Sequence, residues 1–293
     1  MAVQEGTPTS GIQRAPAMDA EQFALWRTLL EQRTGMTLTP ERQPFLEASL
    51  YGRMRSLGVG DYAQYHTRLV TAPAPVQAME WAVLVDRLTV QETSFFRHPP
   101  SFALVQRSVQ QWLEAAPARR TLDLWSVGCS TGEEPYSLAM LVDDALRASN
   151  SRCLYSITAT DISAPALAQA RAGRYAERRV ERVPGSYRSR YLTPLDESHW
   201  QVKPALQERV CFARQNVIEL AHSPLGNMDL IFCQNMLIYF RRWRKRDIVS
   251  RLAERLAPGG LLVLGPGEMT DWHHPLLQRL PSAGTLAYRR TTA

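Results

Sequence analysis

The chain has 293 residues, 45% of them hydrophobic, and carries a formal net charge of +6 at pH 7 with a pI of about 9.3. This length predicts one large domain or two ordinary ones. The positive charge permits a polyanionic partner but does not separate nucleic acid from an acidic protein surface. No apolar run reaches the ~18 residues of a membrane span, and no basic-then-apolar signal peptide is present. We therefore expect a cytoplasmic protein.

The cysteines are few and scattered: Cys129, Cys153, Cys211 and Cys233. No Cys-x-x-Cys pair and no Cys/His cluster offers a metal site, so we expect no bound metal. Buried free thiols in a reducing cytosol are the simplest interpretation of this pattern.

The N-terminal third of the chain contains helical patterns and no strand signal. Residues 1–17 are rich in Gly, Pro, Ser, Thr and Gln, which predicts a disordered tail. Apolar residues at helical spacing then predict four helices. These begin near Asp19, span residues 41–57, begin at Asp61 and span residues 76–88. We therefore expect an all-helical N-terminal domain over residues 18–88.

Two basic regions are candidate docking surfaces. Arg53 and Arg55 lie on the polar side of the second predicted helix, either as a solvated face or as an electropositive edge for an acidic helix. Residues 173–204 contain six arginines interleaved with tyrosines, a composition that suits nucleic acid or peptide. We expect an insert of short strands there, in which His199–Val202 alternates like an edge strand that pairs with a peptide.

A polar linker over residues 89–100 contains the sequence ETSFFR at residues 92–97. Phe95 and Phe96 are predicted to be core anchors. Arg97 stands beside these two aromatic residues, and its guanidinium is suited to binding a carboxylate through two hydrogen bonds.

The sequence LDLWSVGCSTGEEPYSLAM at residues 122–140 predicts a strand, a glycine turn and a helix, which open a Rossmann-like unit. Pro135 suits the first turn of a helix, and Glu133 and Glu134 complement its dipole. Packing alone would also explain Gly128 and Gly132. A P-loop Lys-Ser/Thr is missing, and two carboxylates repel a pyrophosphate. A cationic nucleoside with hydroxyl groups fits better, and S-adenosylmethionine is such a ligand.

Polar residues follow the later predicted strands, at the edge where open α/β sheets bind ligands. Asp161 ends the strand at residues 155–160, and it either bonds ribose hydroxyls or only caps the next helix. Tyr239 is either a site residue or a core aromatic. The other candidates follow the next two strands: Asn216, Val217, Gln234 and Asn235.

The C-terminal part of the chain completes the predicted sheet. A basic amphipathic helix over residues 241–255 is expected to end at Pro258-Gly259-Gly260. A strand at residues 261–264 follows. Two apolar runs at 277–280 and 285–288, separated by a turn signal, predict a closing hairpin.

The chain resembles the chemoreceptor glutamate methyltransferases of the CheR family. The matching segments occur in the same order, from about Phe23 to Tyr288. The motifs GCSTGEEPYSLAM, ETSFFR and IFCQNMLIYF carry the resemblance. It implies a helical N-terminal domain, a linker and an α/β, Rossmann-like class I methyltransferase domain over residues 101–293. That domain has a seven-stranded sheet with an antiparallel last strand, and a small β-subdomain inserted at about residues 174–208.

The resemblance implies S-adenosylmethionine as the cofactor and S-adenosylhomocysteine as its product. The implied reaction methylates specific glutamate side chains in the cytoplasmic domains of chemoreceptors for sensory adaptation. A receptor C-terminal peptide is a further implied partner, at the β-subdomain, whereas nucleic acid and membrane insertion are not expected.

The family's cofactor contacts can be carried over by motif. They fall on Gln91, Thr93, Arg97, Gly128, Glu133, Glu134, Asp161, Asn216, Val217, Gln234 and Asn235. Arg97 and Tyr239 match the pair implicated in positioning the reacting groups. Gln91 stands where the family often has Asn, and His98 replaces a usual acidic residue.

Two other functions compete with this interpretation. A nucleic-acid methyltransferase would suit the high pI, but Asn235 is followed by Met236-Leu237 and not by an Asn-Pro-Pro-Tyr-type motif. A non-catalytic signalling adaptor that binds S-adenosylmethionine would not need Arg97 and Tyr239, and both are intact.

Overall fold

The computed structural model describes residues 15–89, 91–115, 121–282 and 284–291. Most of the predicted disordered tail lies outside the described residues. The chain divides into two compact units. The first holds the residues up to Arg33 together with Leu38–Leu88, and the second holds Thr34–Thr37 together with the chain from Thr89 onward. Within the described ranges, no helix is long and apolar enough to cross a membrane.

The first unit is helical, as its sequence predicts. Its core contains Trp26 and Tyr65, whose ring centroids are 5.2 Å apart, and the fully buried Leu46, Leu50 and Met54, which recur at helical spacing. A short 3-10 turn, Pro40–Arg42, precedes the second helix. The helices are α1 (Ala20–Thr34), α2 (Gln43–Leu57), α3 (Tyr62–Thr71) and α4 (Ala74–Leu88).

The second unit alternates strands and helices. Two 3-10 helices, Val217–His222 and Leu237–Tyr239, follow its sixth and seventh strands. The other elements, in chain order, are α5 (Pro99–Ala115), β1 (Thr121–Val127), α6 (Glu133–Ala148), β2 (Leu154–Asp161), α7 (Ala164–Ala172), β3 (Arg174–Ala176), α8 (Glu177–Val180), α9 (Gly185–Tyr191), β4 (Leu192–Pro194), β5 (His199–Val202), α10 (Pro204–Gln207), β6 (Val210–Arg214), β7 (Met228–Cys233), α11 (Arg242–Glu254), β8 (Leu256–Leu264), β9 (Leu277–Arg279) and β10 (Leu286–Arg290).

Seven strands form the main sheet, in the order β6-β2-β1-β7-β8-β10-β9. The strands from β6 to β8 are parallel, and β10 pairs antiparallel with β8 and with β9. This confirms the predicted α/β class, the seven strands, the antiparallel last strand and the closing hairpin. A parallel sheet needs helices on both faces because both of its sides are apolar.

The two faces of the central strands pack into two separate core clusters. On β1, Leu124 joins the cluster that includes α5 and α6, whereas its neighbour Trp125 joins the cluster that includes α11. Leu230 and Ile231 of β7 divide in the same way. Side chains on a strand alternate between faces, so a continuous apolar run fills both clusters at once.

Two local predictions are wrong. Pro258-Gly259-Gly260 does not end a helix, because α11 stops at Glu254 and these residues form a bulge inside β8, where Met228 pairs with Leu256 and Leu230 with Leu261. A Cβ on Gly260 would lie 2.8 Å from the carbonyl oxygens of Ala257 and Met228, so this bulge requires glycine.

The second wrong prediction concerns the inserted β-subdomain. Its three strands are ordered β3-β5-β4, so His199–Val202 (β5) is the central strand and not an edge. Three of the four residues of β5 are only partly buried, which is typical of an edge strand, although Val202 and its partner Leu192 are buried in the core cluster that includes α5 and α6. The subdomain also contains three short helices, α8, α9 and α10.

Candidate active site

The predicted site residues gather where four parallel strands end. Gly128 follows β1, Asp161 ends β2, Asn216 follows β6, and Gln234 and Asn235 follow β7. Because these strands are parallel, their carboxyl ends lie along one edge of the sheet. Open α/β sheets bind ligands at this edge.

The glycine turn after β1 is held to β2 by backbone hydrogen bonds. The N–H groups of Gly128 and Cys129 both donate to the carbonyl oxygen of Thr160, at 2.8 and 3.0 Å. Gly128 and Gly132 have φ values of +75° and +96°, a region that favours glycine. The main chain therefore runs along the sheet edge without side chains at these two points.

Asp161 links this turn to the start of α7. Its Oδ2 accepts a hydrogen bond from the Ser130 N–H at 2.8 Å, and its Oδ1 accepts one from the Ser163 N–H at 2.9 Å. The side-chain cap of α7 is Ser163, whose Oγ accepts from the Ala166 N–H. Asp161 is also partly exposed, so a ligand at the sheet edge can approach its carboxylate.

The two glutamates that open α6 lie in different surroundings. The Glu133 side chain is 0% exposed and pairs with Arg179 of the inserted subdomain. Thr131 Oγ1 donates to its other oxygen at 2.7 Å, and Arg179 donates to Thr131 Oγ1 at 3.1 Å. Glu133 therefore joins the helix start to the insert and is enclosed by protein.

Glu134 is partly exposed and accepts a hydrogen bond from Ser126 Oγ at 2.8 Å. Burial raises the pKa of Glu134 to about 8, against the lowering effect of the Ser126 hydrogen bond. The charge of Glu268 raises this pKa further, and that of Arg97 lowers it. A cationic ligand nearby would favour its ionised form.

The predicted linker supplies groups to the same edge. Ser130 Oγ donates to Gln91 Oε1 at 2.6 Å, so the amide of Gln91 reaches the glycine turn. Arg97 is 34% exposed and donates to the Glu92 carbonyl oxygen at 2.6 Å. The charge of Arg97 lowers the pKa of Glu134, and the N–H of the preceding Phe96 binds Ser137 of α6. Thr93 is partly buried on the segment between Gln91 and Arg97.

Two phenylalanines anchor the linker in the core, as predicted. Phe95 is fully buried, and its ring lies edge-on to that of Tyr175 with centroids 5.0 Å apart. Phe96 packs against the same cluster and has a φ of +49°. Its N–H donates to Ser137 Oγ of α6 at 3.1 Å.

The segment after β6 is fastened to the end of β2. The Gln215 N–H donates to the Asp161 carbonyl oxygen at 3.0 Å. Asn216 caps the following 3-10 helix, because its side chain accepts from the Ile218 N–H at 3.3 Å. Val217 is partly buried against the core cluster that includes α11.

Gln234 and Asn235 differ in accessibility. Gln234 is 6% exposed, and its Nε2 donates to Ser101 Oγ at 2.6 Å and to the Leu264 carbonyl oxygen at 3.1 Å. Asn235 is partly exposed with a φ of +57°, a conformation that asparagine tolerates. Asn235 is therefore the more accessible of the two to a ligand.

Tyr239 ends the 3-10 helix after β7. The ring packs against the α11 cluster and remains partly exposed. Its carbonyl oxygen accepts from the Thr37 N–H at 2.8 Å, and Met36 forms a β-bridge with Phe240. Tyr239 is thus both a packing residue and accessible at the sheet edge.

Glu268 is a residue of this site that the sequence analysis missed. It is 4% exposed, and its carboxylate accepts from the Gly265 N–H at 2.8 Å and from the Ile238 N–H at 3.3 Å. Burial raises its pKa, while backbone hydrogen bonds from Gly265, Ile238, Leu237 and Asn235 lower it. Glu268 therefore holds the loop that carries Asn235 and Tyr239. Its position just after a buried strand is the signal that could have identified it.

Most arginines of the insert are paired with acidic residues. Tyr187 and Tyr191 donate to Asp144 and Asp143 of α6, at 3.2 and 3.0 Å. The charge of the insert is therefore largely compensated. The ion pairs are Arg174–Asp196, Arg179–Glu133, Arg188–Glu177 and Arg190–Asp144.

Arg53 and Arg55, in the first unit, also differ. Two nitrogens of Arg53 donate to the carboxylate of Glu80 at 2.9 and 2.6 Å, and Tyr65 donates to the same carboxylate at 2.6 Å. The hydrogen bond from Arg53 lowers the pKa of Glu80. Arg55 is exposed. Arg53 thus stabilises the helical unit, and the docking role of both arginines stays a prediction.

All four cysteines are free, as expected, but the expected burial is wrong for Cys211. Cys129, Cys153 and Cys233 are buried, whereas Cys211 is exposed. Burial raises the pKa values of the Cys129 and Cys233 thiols well above their usual value, so neither is an activated nucleophile.

Comparison with known proteins gives matches over most of the chain. The family model described as CheR methyltransferase, all-alpha domain, matches residues 21–89, and that described as CheR methyltransferase, SAM binding domain, matches residues 91–283. Chemotaxis protein methyltransferase 1 of Pseudomonas aeruginosa is 34% identical over 88% of this chain and 95% of its own length.

Two further relatives are similar. Chemotaxis protein methyltransferase Cher2 of Pseudomonas putida is 32% identical over 90% of this chain and 96% of its own length. Probable biofilm formation methyltransferase WspC of Pseudomonas aeruginosa is 30% identical over 90% of this chain and 61% of its own length.

The seven-stranded sheet, the glycine turn and the matched SAM-binding model define a Rossmann-like, S-adenosylmethionine-dependent methyltransferase. More narrowly, the chain belongs to the CheR methyltransferase family. This confirms the resemblance and the predicted cofactor. The site fits that cofactor, because Asp161 is a partly exposed carboxylate of the kind that accepts from ribose hydroxyls, and a nearby positive charge would favour the ionised form of Glu134.

Proposed function

We propose that this protein methylates specific glutamate side chains in the cytoplasmic domains of chemoreceptors, for sensory adaptation. The products are γ-glutamyl methyl esters and S-adenosylhomocysteine. The observation that carries the proposal is that Arg97 follows Phe96, whose N–H binds Ser137 of α6, and that the charge of Arg97 lowers the pKa of Glu134 at the start of the same helix. Arginine is the side chain best matched to a carboxylate, so the site can hold a glutamate where the methyl donor binds.

This reaction requires alignment and no proton transfer. A glutamate carboxylate is already ionised at neutral pH, and bound S-adenosylmethionine supplies a methyl group on a positively charged sulfur. A carboxylate oxygen would take this methyl group, with the electron pair of the broken carbon–sulfur bond left on sulfur, so that both charges would be neutralised. Good orientation of such reactants recovers about 7–11 kcal/mol of barrier.

We assign the alignment to Arg97 and Tyr239. Arg97 would hold the carboxylate or the methyl donor, and the hydroxyl of Tyr239 would orient the methyl donor. Asp161 would accept from the ribose hydroxyls. Glu134 is the better acidic contact because it is partly exposed, whereas Glu133 is enclosed. Gln91, Thr93, Gly128, Asn216, Val217, Gln234 and Asn235 complete the proposed cofactor site.

Esterification would change receptor electrostatics, because each transfer removes one negative charge from a receptor helix. A receptor C-terminal peptide is a further proposed partner at the inserted subdomain. Since β5 is central there, the peptide would add to an outer edge, on β3 or β4. Docking by Arg55 belongs to the same proposal, and Arg55→Glu would raise the KM for the receptor.

The proposal is tested by incubating the protein with labelled S-adenosylmethionine and receptor cytoplasmic fragments, and scoring methanol released by alkali. Arg97→Ala should lower kcat about a hundredfold, because misplacement of reacting groups costs that much, and Tyr239→Phe should lower it less. Ala103, exposed on α5, offers the control Ala103→Ser, which should not change kcat. Cofactor binding without alkali-labile product would favour the adaptor, and label in RNA would favour a nucleic-acid methyltransferase.

A further inference from the structure

Basic residues are densely clustered just after Tyr239. Five of the six residues at 241–246 are basic, in the sequence RRWRKR. In the insert, by contrast, four arginines pair with acidic residues. Asp247 lies 3.7 Å from Arg244 and also pairs with Arg251, and the Arg246 guanidinium donates to the Asp271 carbonyl oxygen at 3.0 Å. We call residues 241–246 together with Ile238 the RRWRKR patch.

This charge opposes the local preference of the helix. Helix α11 begins at Arg242, has no acidic residue in its first turn, and has no side-chain cap at Arg241. Cations at the positive end of a helix dipole are unfavourable by about 0.3–1 kcal/mol each. Basic residues at the N-terminal end of a helix lower its stability, so their presence here indicates selection for something other than stability.

The patch is also apolar and aromatic. Trp243 is 59% exposed and Ile238 is 56% exposed. The guanidinium of Arg244 lies 4.2 Å from the ring centroid of Trp243. Tryptophan and arginine are the residues most enriched at the energetic centres of interfaces. Ile238 directly precedes Tyr239, and its N–H is bound by Glu268, so the patch adjoins the proposed reaction site.

We propose that the RRWRKR patch docks the acidic, amphipathic receptor helix that carries the target glutamate. This rests on the proposed function. Charge complementarity selects the occupant: a helix with several glutamates faces Arg242 and Lys245, while its apolar stripe covers Trp243 and Ile238. Each esterification removes a charge from that helix, so its affinity for the patch falls after transfer.

The test is a double charge reversal, Arg242→Glu with Lys245→Glu, against the matched pair Arg107→Glu with Arg152→Glu. Arg107 and Arg152 are exposed elsewhere on the same unit, so both variants change the net charge equally. At low salt, the patch variant should raise the KM for a receptor fragment about tenfold with little change in kcat. At about 1 M salt, where the Debye length is about 3 Å, the difference should shrink.

Trp243→Ala tests the apolar part of the patch independently of its charge. It should raise KM at both salt concentrations, because apolar contacts are not screened. Calorimetric binding of S-adenosylhomocysteine should be unchanged in every variant, which shows that each one is folded. Equal KM values for the patch variant and the matched pair overturn this inference alone. A wild-type protein that yields no alkali-labile methyl product overturns the proposed function and this inference with it.

Discussion

The turn after β1 and the loop after β7 end parallel strands at the same edge of the sheet, but different groups hold them. Backbone N–H groups of Gly128 and Cys129 fix the turn to the Thr160 carbonyl oxygen. The loop is also held by backbone hydrogen bonds, but its Ile238 N–H donates to a buried carboxylate, that of Glu268, thirty residues away. The cofactor side of the site is therefore fixed mainly by nearby main-chain groups, and the Tyr239 side depends more on a distant side chain.

We call the turn after β1, with Gly128 and Gly132, the rigid half of the site. We call the loop after β7, with Asn235 and Tyr239, the adjustable half. A main-chain turn tolerates almost no added atoms at its glycines. A loop held by a carboxylate moves when that carboxylate changes its charge or position. Variants in the first half should damage folding and cofactor binding together, whereas variants in the second should damage turnover more than folding.

The largest expected effect is that of Gly132→Ala on the turn. A Cβ there would lie 2.8 Å from Ala170 Cβ and from Tyr175 Oη, at a φ of +96°. Backbone strain of about 1–3 kcal/mol adds to an overpacking cost of about 1–3 kcal/mol. Urea unfolding should show a loss of about 3 kcal/mol or more, with a loss of S-adenosylhomocysteine binding.

Gly267→Ala is the matched control for backbone strain. Gly267 has a φ of +75°, and an added Cβ there would meet open space. Its stability loss should be limited to the strain and should stay well below that of Gly132→Ala. Equal losses in the two variants would mean that steric closeness does not fix the turn.

The turn was predictable because all of its determinants lie within about twenty consecutive residues. An apolar run, Gly128 and Gly132, and Pro135 at the helix start are each a local signal. The helices of the first unit follow local periodicity in the same way. The number of strands in the sheet came from the family resemblance, and their order came only from the structure, since pairing between distant strands leaves little local trace.

The loop after β7 was less predictable because its determinants are distant in sequence. Asn235 and Tyr239 were predicted as candidates from the strand before them, but the carboxylate that holds them belongs to Glu268. The prediction that Pro258-Gly259-Gly260 ends a helix failed for a similar reason. A Pro-Gly-Gly run resembles a helix terminator, and only the pairing with β7 makes it a bulge.

The second prediction concerns Glu268→Gln, which should weaken the hydrogen bonds that hold the adjustable half. The amide keeps one acceptor oxygen but sets an NH2 group against a backbone N–H, and an unsatisfied buried group costs about 1–3 kcal/mol. We expect kcat for receptor methylation to fall about tenfold or more, with a smaller change in cofactor affinity. Single-turnover kinetics and calorimetry measure the two quantities separately.

Gly265→Ala disturbs the same carboxylate from the other side. An added Cβ would lie 2.4 Å from Glu268 Oε2, so the carboxylate must move. The kinetic signature should match that of Glu268→Gln. If both variants lose stability but keep the wild-type kcat, Glu268 supports the fold and does not position Tyr239.

The smallest expected effect, taken per pH unit, concerns Glu134, whose pKa responds to the charges of Glu268 and Arg97. Its pKa is raised from 4.5 to about 8. Between these values the folded protein holds a proton that the unfolded chain has lost, so the stability of the ligand-free protein falls as the pH rises. The slope from this group is at most about 1.4 kcal/mol per pH unit. Glu134→Gln should remove this contribution from a series of urea unfolding curves measured between pH 5 and 8.

Cofactor binding should release the proton from the Glu134 carboxyl. At pH 7 the Glu134 carboxyl is mostly protonated, and the positive charge of S-adenosylmethionine would ionise it. Calorimetry in buffers of different ionisation enthalpy should therefore detect proton release in the wild type and less in Glu134→Gln. Glu134→Gln should bind S-adenosylmethionine more weakly than the wild type at high pH. This difference in affinity should shrink as the pH falls, because the wild-type carboxyl is then neutral as well. Proton release that is equal in both proteins would place the cofactor's charge away from Glu134 and leave the rigid half of the site to bind by its backbone and Asp161 alone.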